Sequence, residues 1–257
     1  MFLNIAHRGD SVHAPENTFL AFERAVSAGA SAVELDLRCT ADGHVVVMHD
    51  ADLDRTTDGS GAVGRTSLSE ISGLDAGGWF SAETAGERVP RLSEVCERLG
   101  DCIPLVLHVK DEGRGIEEAI AHEVQSRRLA GRITVSSEHR GVLSRMKSLV
   151  PDVTTTWIAW LRDWRWWMWY VAGRVRRLGA TRVSPPGSSI TPAMVKYFHE
   201  RGVEVRAWGV GQDRRLARRL IEVGVDGMTY DDPGWLRAEL ERSLNTSSIA
   251  RLNEDTK

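Results

Sequence analysis

The chain has 257 residues, 42% hydrophobic and 27% charged, the ordinary balance of a soluble globular protein. A formal net charge of -3 excludes the clustered basic excess of a nucleic-acid binder. No run approaches the roughly 18 uninterrupted apolar residues of a membrane span. Short apolar runs predict strands at residues 2–6, 32–38, 103–110, 132–136, 153–158, 181–184, 203–208 and 224–230. Amphipathic stretches at residues 18–27, 115–129, 139–149, 192–201 and 214–223 predict helices between them. Strict β-then-α alternation predicts an α/β chain with a parallel sheet, and eight units predict closure into a (β/α)8 TIM barrel. Residues 40–91 break the rhythm with a hairpin-like strand at 45–48 and a polar excursion through Asp58-Gly59-Ser60-Gly61. They read as a small insertion after the second strand. The barrel is expected to fill residues 1–244 as one domain, leaving 245–257 as a polar C-terminal tail.

Barrel active sites lie at the C-terminal ends of the strands, and polar residues gather there in this sequence. The first strand ends in His7-Arg8-Gly9. The second contains Glu34-Leu35-Asp36, whose period-2 alternation sends both carboxylates into the barrel. The hairpin strand ends in His49-Asp50 and the third barrel strand in His108-Val109-Lys110. The last two strands end in Trp208 and in Thr229-Tyr230-Asp231-Asp232. Burying Glu34 beside Asp36 is costly unless a cation or a basic partner compensates. Paired carboxylates with open positions suit Mg²⁺ or Ca²⁺. Two histidines fit general acid and base near neutral pH, and an Arg with a Lys fits a phosphate. Together these residue types predict metal-assisted phosphoryl transfer.

Plainer roles stand beside these. Glu34 and Asp36 could pair with Arg8 and Lys110 as a structural ion network, and Trp208 could be core packing. Glu16 is expected to support the site from behind, and Asn17 or Thr18 to cap the first helix. His13, His44, His122, His139 and His199 read as surface residues without partners. Arg214, Arg215, Arg218 and Arg219 read as a solvated helix face.

Ala6-His7-Arg8-Gly9, Ala14-Pro15-Glu16-Asn17-Thr18, Glu34-Leu35-Asp36, His49-Asp50 and Leu53-Asp54-Arg55-Thr56-Thr57-Asp58-Gly59 form an ordered series. It resembles the signature of the glycerophosphodiester phosphodiesterase family. Trp208, Asp226-Gly227 and Asp231-Asp232-Pro233 extend the likeness over residues 3–236. The resemblance implies metal-dependent hydrolysis of small-molecule glycerophosphodiesters to glycerol phosphate and an alcohol, with the glycerol 2-hydroxyl or water as nucleophile. It also implies His7 and His49 as the acid–base pair and Glu34 and Asp36 as metal ligands. Arg8 and Lys110 would be phosphate contacts, and Trp208 a wall of the substrate pocket. One position departs: the family carries Glu-x-Lys on the third strand, with that Glu as third metal ligand, and here it is His108. Imidazole can ligate, so His108 completes the expected ligand set while shifting preference from Mg²⁺ or Ca²⁺ toward Mn²⁺ or Zn²⁺. His108 also favours an alternative, a catalytically silent barrel that binds a phosphodiester or lipid without cleaving it. A further alternative is a sphingomyelinase D-like phospholipase, which shares the two-histidine, Glu-x-Asp layout.

Six of the nine tryptophans fall within residues 157–170. At helical spacing Trp157, Trp160, Trp164 and Trp167 make one stripe, with Trp166 and Trp169 on the opposite side. Arg162, Arg165, Arg174, Arg176 and Arg177 outnumber the single acid Asp163 in and just beyond this segment. The pattern predicts a helical lid, a self-association face or a peripheral contact with anionic lipid. An acyl chain received there would extend the substrates to lysophospholipids. Cys39, Cys96 and Cys102 are an odd set without zinc-ligand spacing, and charge follows Met1-Phe2-Leu3-Asn4-Ile5-Ala6 too soon for a signal peptide. The protein therefore reads as cytoplasmic, peripheral to a membrane at most.

Overall fold

The computed structural model describes residues 2–160 and 164–254. The first half runs β1 (Leu3–His7), α1 (Phe19–Ser27), β2 (Ala32–Cys39), β3 (Val45–Val47), α2 (Leu68–Ile71), α3 (Leu92–Leu99), β4 (Leu105–Val109) and α4 (Ile116–Ser126). It continues with β5 (Ile133–Ser137), α5 (Arg140–Leu149), β6 (Thr154–Ile158), α6 (Trp164–Arg177), β7 (Arg182–Ser184) and α7 (Pro192–His199). The last elements are β8 (Glu204–Ala207), α8 (Arg214–Val223), β9 (Gly227–Tyr230) and α9 (Pro233–Glu254). Strand β1 pairs in parallel with both β2 and β9, which closes β1, β2 and β4 to β9 into the expected barrel. Strand β3 joins β2 in antiparallel fashion, Leu37 opposite Val47, and opens the insertion. Helix α9 runs on from the barrel into the segment that the sequence reads as a polar tail.

Alternation decides which side chains meet the helices and which meet the barrel axis. Val33, Leu35 and Leu37 of β2 face outward and join Leu105, Leu107 and Val109 of β4 in one apolar layer beneath α3, α4 and α5. A second layer under α7 and α8 gathers Val183, Val205, Phe198 and Leu220. Full burial of each such large apolar side chain contributes about 1.5–3 kcal/mol. The inward face is polar by contrast: Glu34, Asp36, Ser136, Thr156, Ser184 and Arg206 are all buried. Ile5, Ala32 and Val106 form a small apolar plug there, with Leu3 packed against it.

The tryptophan stripe is corrected. Trp157 lies in β6 and packs against both apolar layers, Trp160 follows the strand, and α6 begins only at Trp164. The β-branched run Thr154-Thr155-Thr156 pairs with β5 and β7, and that pairing overrides the helical spacing of the indoles. Arg162 and Asp163 lie outside the described residues, as do the side chains of Trp164, Arg165, Trp166 and Trp167. Among the described residues, no helix is long and apolar enough to cross a membrane.

Three of the histidines read as unpartnered have carboxylates beside them, His139 Nδ1 among them at 3.6 Å from Glu112 Oε2. His13 Nδ1 lies 2.8 Å from Asp10 Oδ1, and His199 Nε2 lies 2.7 Å from Asp226 Oδ2. On α8, Arg214, Arg215 and Arg218 are exposed as expected, and Arg219 is half-buried. Arg218 pairs with Glu239 at 2.9 Å, and Arg219 donates to the carbonyls of Ile190 and Gly187 at 2.9 and 2.8 Å.

Candidate active site

Strand β1 leaves the barrel through a tight left-handed corner, with φ of +56° at Arg8 and +86° at Gly9. A Cβ on Gly9 would stand 2.6 Å from the Ala21 backbone, so only glycine fits both the conformation and the space. The corner turns Arg8 back over the barrel mouth. Its backbone N–H donates to Glu34 Oε2 at 3.1 Å, its Nη1 donates to Glu16 Oε1 at 2.7 Å, and its Nε lies 3.2 Å from Asp36 Oδ2. Asn17, also left-handed at φ +60°, donates from Nδ2 to Asp36 Oδ2 at 3.0 Å. Thr18, not Asn17, caps α1 by accepting from the Ala21 N–H at 3.3 Å.

Register places Asp36 beside His108 across β2 and β4, with His7 beside Glu34 across β1 and β2. His108 Nδ1 lies 3.4 Å from Glu34 Oε1 and 3.3 Å from Asp36 Oδ1. The three residues offer ligand atoms within 4.8 Å of one another. Asp36 is fully buried, and its Oδ1 accepts no hydrogen bond despite Lys110 Nζ at 3.2 Å, a contact too poorly aligned to count. A buried carboxylate with an unmet oxygen, beside a second carboxylate and an imidazole nitrogen, fits the donor set of a divalent cation. Burial pushes the Asp36 pKa up, but His108, Lys110 and Arg8 outweigh it and hold the carboxyl well below its usual range. Burial pulls the His108 pKa down, but the carboxylates of Asp36, Glu138 and Glu34 around the ring outweigh that and push it up to about 10. In the absence of a cation, an imidazole so held carries charge that compensates its carboxylate neighbours; a cation on Nδ1 would take the place of that proton.

The other two imidazoles are each anchored through Nδ1. His7 Nδ1 lies 2.7 Å from Asp231 Oδ1, and His49 Nδ1 lies 2.7 Å from Asp50 Oδ1. Arg55 grips Asp50 from Nε at 2.6 Å and is itself clamped by Glu16 at 2.7 and 2.9 Å. With Nδ1 donating to a carboxylate, each ring leaves Nε2 for chemistry. Burial pulls the His49 pKa below its ordinary value, with Arg8 and Lys110 adding to the fall and Asp36 and Asp50 opposing it.

His7, Arg8, Glu34, His49, His108 and Lys110 line a cavity of about 360 Å³. Glu138, Trp160, Arg206 and Trp208 line it as well, and the two indoles meet edge to face at 4.5 Å. Every expected site residue therefore falls at one mouth, with Asp36 beneath the cavity wall. Asp231, Arg55 and Glu138 were not anticipated in these contacts. The first two sit inside the sequence series already noted, whereas Glu138 is signalled only as the residue that follows β5.

Fold and constellation together give a parallel barrel whose C-terminal mouth gathers two carboxylate-anchored imidazoles, a carboxylate–imidazole cluster able to hold a cation, and an Arg with a Lys. Residues 7–235 match the glycerophosphoryl diester phosphodiesterase family, and the chain belongs to it. A glycerophosphodiester phosphodiesterase from Caldanaerobacter subterraneus subsp. tengcongensis is 37% identical over 241 residues, covering 90% of this chain and 94% of the relative. One from Bacillus subtilis is 30% identical over 247 residues, covering 90% and 84%. Among solved structures, a phosphodiesterase from Oleispira antarctica in complex with the product sn-glycerol-3-phosphate matches with a TM-score of 0.79 at 29% identity, covering 92% of this chain and 96% of that one.

Proposed function

We infer that this protein hydrolyses glycerophosphodiesters to glycerol phosphate and an alcohol. The observation that carries this reading is the pair of carboxylate-anchored imidazoles, His7 and His49, on a cavity that also holds Arg8, Lys110 and the Glu34–Asp36–His108 cluster. Arg8 and Lys110 hold the phosphate oxygens. His49, whose pKa is lowered, is neutral near pH 7 and takes a proton through Nε2 from the glycerol 2-hydroxyl or from water. The oxygen so activated forms its bond to phosphorus as the bond to the departing alcohol oxygen breaks; where the 2-hydroxyl attacks, the product is a cyclic phosphate, and a water then opens it to glycerol phosphate. His7 gives the departing alcohol oxygen its proton. A divalent cation held by Glu34, Asp36 and His108 would supply neutralisation of the phosphate charge. The two carboxylates favour Mg²⁺ or Ca²⁺, and the imidazole widens the choice to Mn²⁺ or Zn²⁺.

Trp208 and the exposed Trp160 form an apolar wall that would also accept an acyl chain, which supports lysophospholipids as a second substrate class. Trp169 is 70% exposed on α6, with Tyr170 beside it and Arg174 over the Tyr170 ring, which supports peripheral contact with anionic lipid or with a second copy. The free cysteines fit a cytoplasmic setting.

A second reading, a barrel that binds but does not cleave, is favoured by His108, whose charge among Glu34, Asp36 and Glu138 could stand in for a cation. Metal analysis of the purified protein, with glycerophosphocholine hydrolysis scanned over Mg²⁺, Ca²⁺, Mn²⁺ and Zn²⁺, separates the two. Cation-dependent release of glycerol phosphate supports the enzyme. A folded protein that binds no cation and releases no product supports the silent barrel.

A further inference from the structure

We propose that Glu138 is a positioning residue for the cation pocket: it accepts the Nε2–H of His108 and thereby aims the Nδ1 lone pair at Glu34 and Asp36. This rests on the reading of Glu34, Asp36 and His108 as cation ligands. His108 Nε2 lies 2.9 Å from Glu138 Oε2, while Nδ1 faces the other two carboxylates at 3.3 and 3.4 Å. A neutral imidazole has one N–H. On Nδ1 that hydrogen would point into the pocket and block ligation, whereas on Nε2 it leaves Nδ1 as a donor. A carboxylate on the far nitrogen fixes both tautomer and ring orientation.

The surrounding chain holds Glu138 in this place. Register sets His108 beside Ser136, so Glu138 lies one pleat further toward the mouth. Ser137 Oγ donates to the Val109 carbonyl at 2.8 Å and accepts the His139 N–H at 3.0 Å, which clamps the Glu138 corner onto β4. Glu138 itself stands outside the set of mutually close ligand atoms, so it acts on a cation through His108.

The test is Mn²⁺ titration of the full chain by calorimetry, for wild type, Glu138→Ala and Glu138→Gln, each repeated in a His108→Glu background. Glu138→Ala should weaken Mn²⁺ about 10–100-fold, the usual cost of losing such a partner. Glu138→Gln should lose less, because its amide oxygen still accepts the N–H. In the His108→Glu background no imidazole remains to aim, so Glu138→Ala should change affinity by no more than about twofold. Nitrogen-15 spectra of the Mg²⁺-loaded protein should give the Nε2–H tautomer for His108 in wild type and a mixture in Glu138→Ala. If Glu138→Ala does not fold, Glu138→Gln and its spectrum carry the test. Unchanged Mn²⁺ affinity in folded Glu138 variants overturns the proposal alone, and an equal loss in the His108→Glu background overturns it in favour of direct ligation. A wild type that binds no Mn²⁺ overturns the cation reading as well.

Discussion

Replacing Asp231 with asparagine keeps the shape of the side chain and removes the anchor of His7. The carboxylate lies 2.7 Å from His7 Nδ1, and the residue is otherwise tied by its backbone, to Gly211 and to Val12. A hydrogen bond to a charged group contributes about 1.5–3 kcal/mol. If that amount is lost only in the transition state, kcat falls about 10–150-fold, since each 1.36 kcal/mol is a factor of ten. Asparagine removes the charge but leaves an oxygen able to accept the Nδ1–H, whereas alanine removes both. Asp231→Ala should therefore be at least as slow as Asp231→Asn. Arg8 and Lys110 keep their contacts, so KM should move little. The assay is steady-state hydrolysis of glycerophosphocholine near neutral pH, with thermal melting of each variant alongside. A folded Asp231→Asn with wild-type kcat would refute the role of His7 in proton transfer, and a loss confined to KM would move His7 to substrate binding.

His7→Ala and His49→Ala should each lower turnover at least ~100-fold while a non-hydrolysable phosphodiester still binds, as calorimetry can measure. Glu34→Gln and Asp36→Asn should lose cation stoichiometry and activity yet remain folded; retained cation in both would sink the pocket as drawn. Because burial lowers the His49 pKa, its neutral form persists further into acid, so the acidic limb of kcat/KM should fall below the ordinary histidine value of about 6.5. A limb above that value would count against His49 as the base. Phe198→Ala, in the apolar layer under α7 and far from the cavity, should cost about 3–5 kcal/mol in denaturant unfolding while leaving the activity of the folded fraction unchanged.

Much of the barrel is readable in the chain because its strands are short apolar runs whose charged residues face the axis. Glu34 and Asp36 stand out on β2 for that reason, as do His108 and Lys110 on β4. What does not follow from local pattern is partnership across the fold. Asp231 meets His7 from 224 positions away, and Glu138 meets His108 only because β4 and β5 are neighbours in register. The tryptophan segment misleads for a related reason. Spacing of three and four residues fits a helix, but Trp157 belongs to a strand whose ladder partners are distant in sequence. The partners of His13 and His199 escape the local pattern because Asp10 and Asp226 reach them through a turn and from the loop before β9.

The most direct measurement is phosphorus NMR of glycerophosphocholine incubated with the purified protein, first stripped of metal with a chelator and then resupplied with Mg²⁺, Ca²⁺ or Mn²⁺. Growth of a glycerol phosphate resonance only on resupply, and its loss in His7→Ala and His49→Ala, is the predicted result. An intact substrate resonance under every cation, with a folded protein, would contradict glycerophosphodiester hydrolysis at this site.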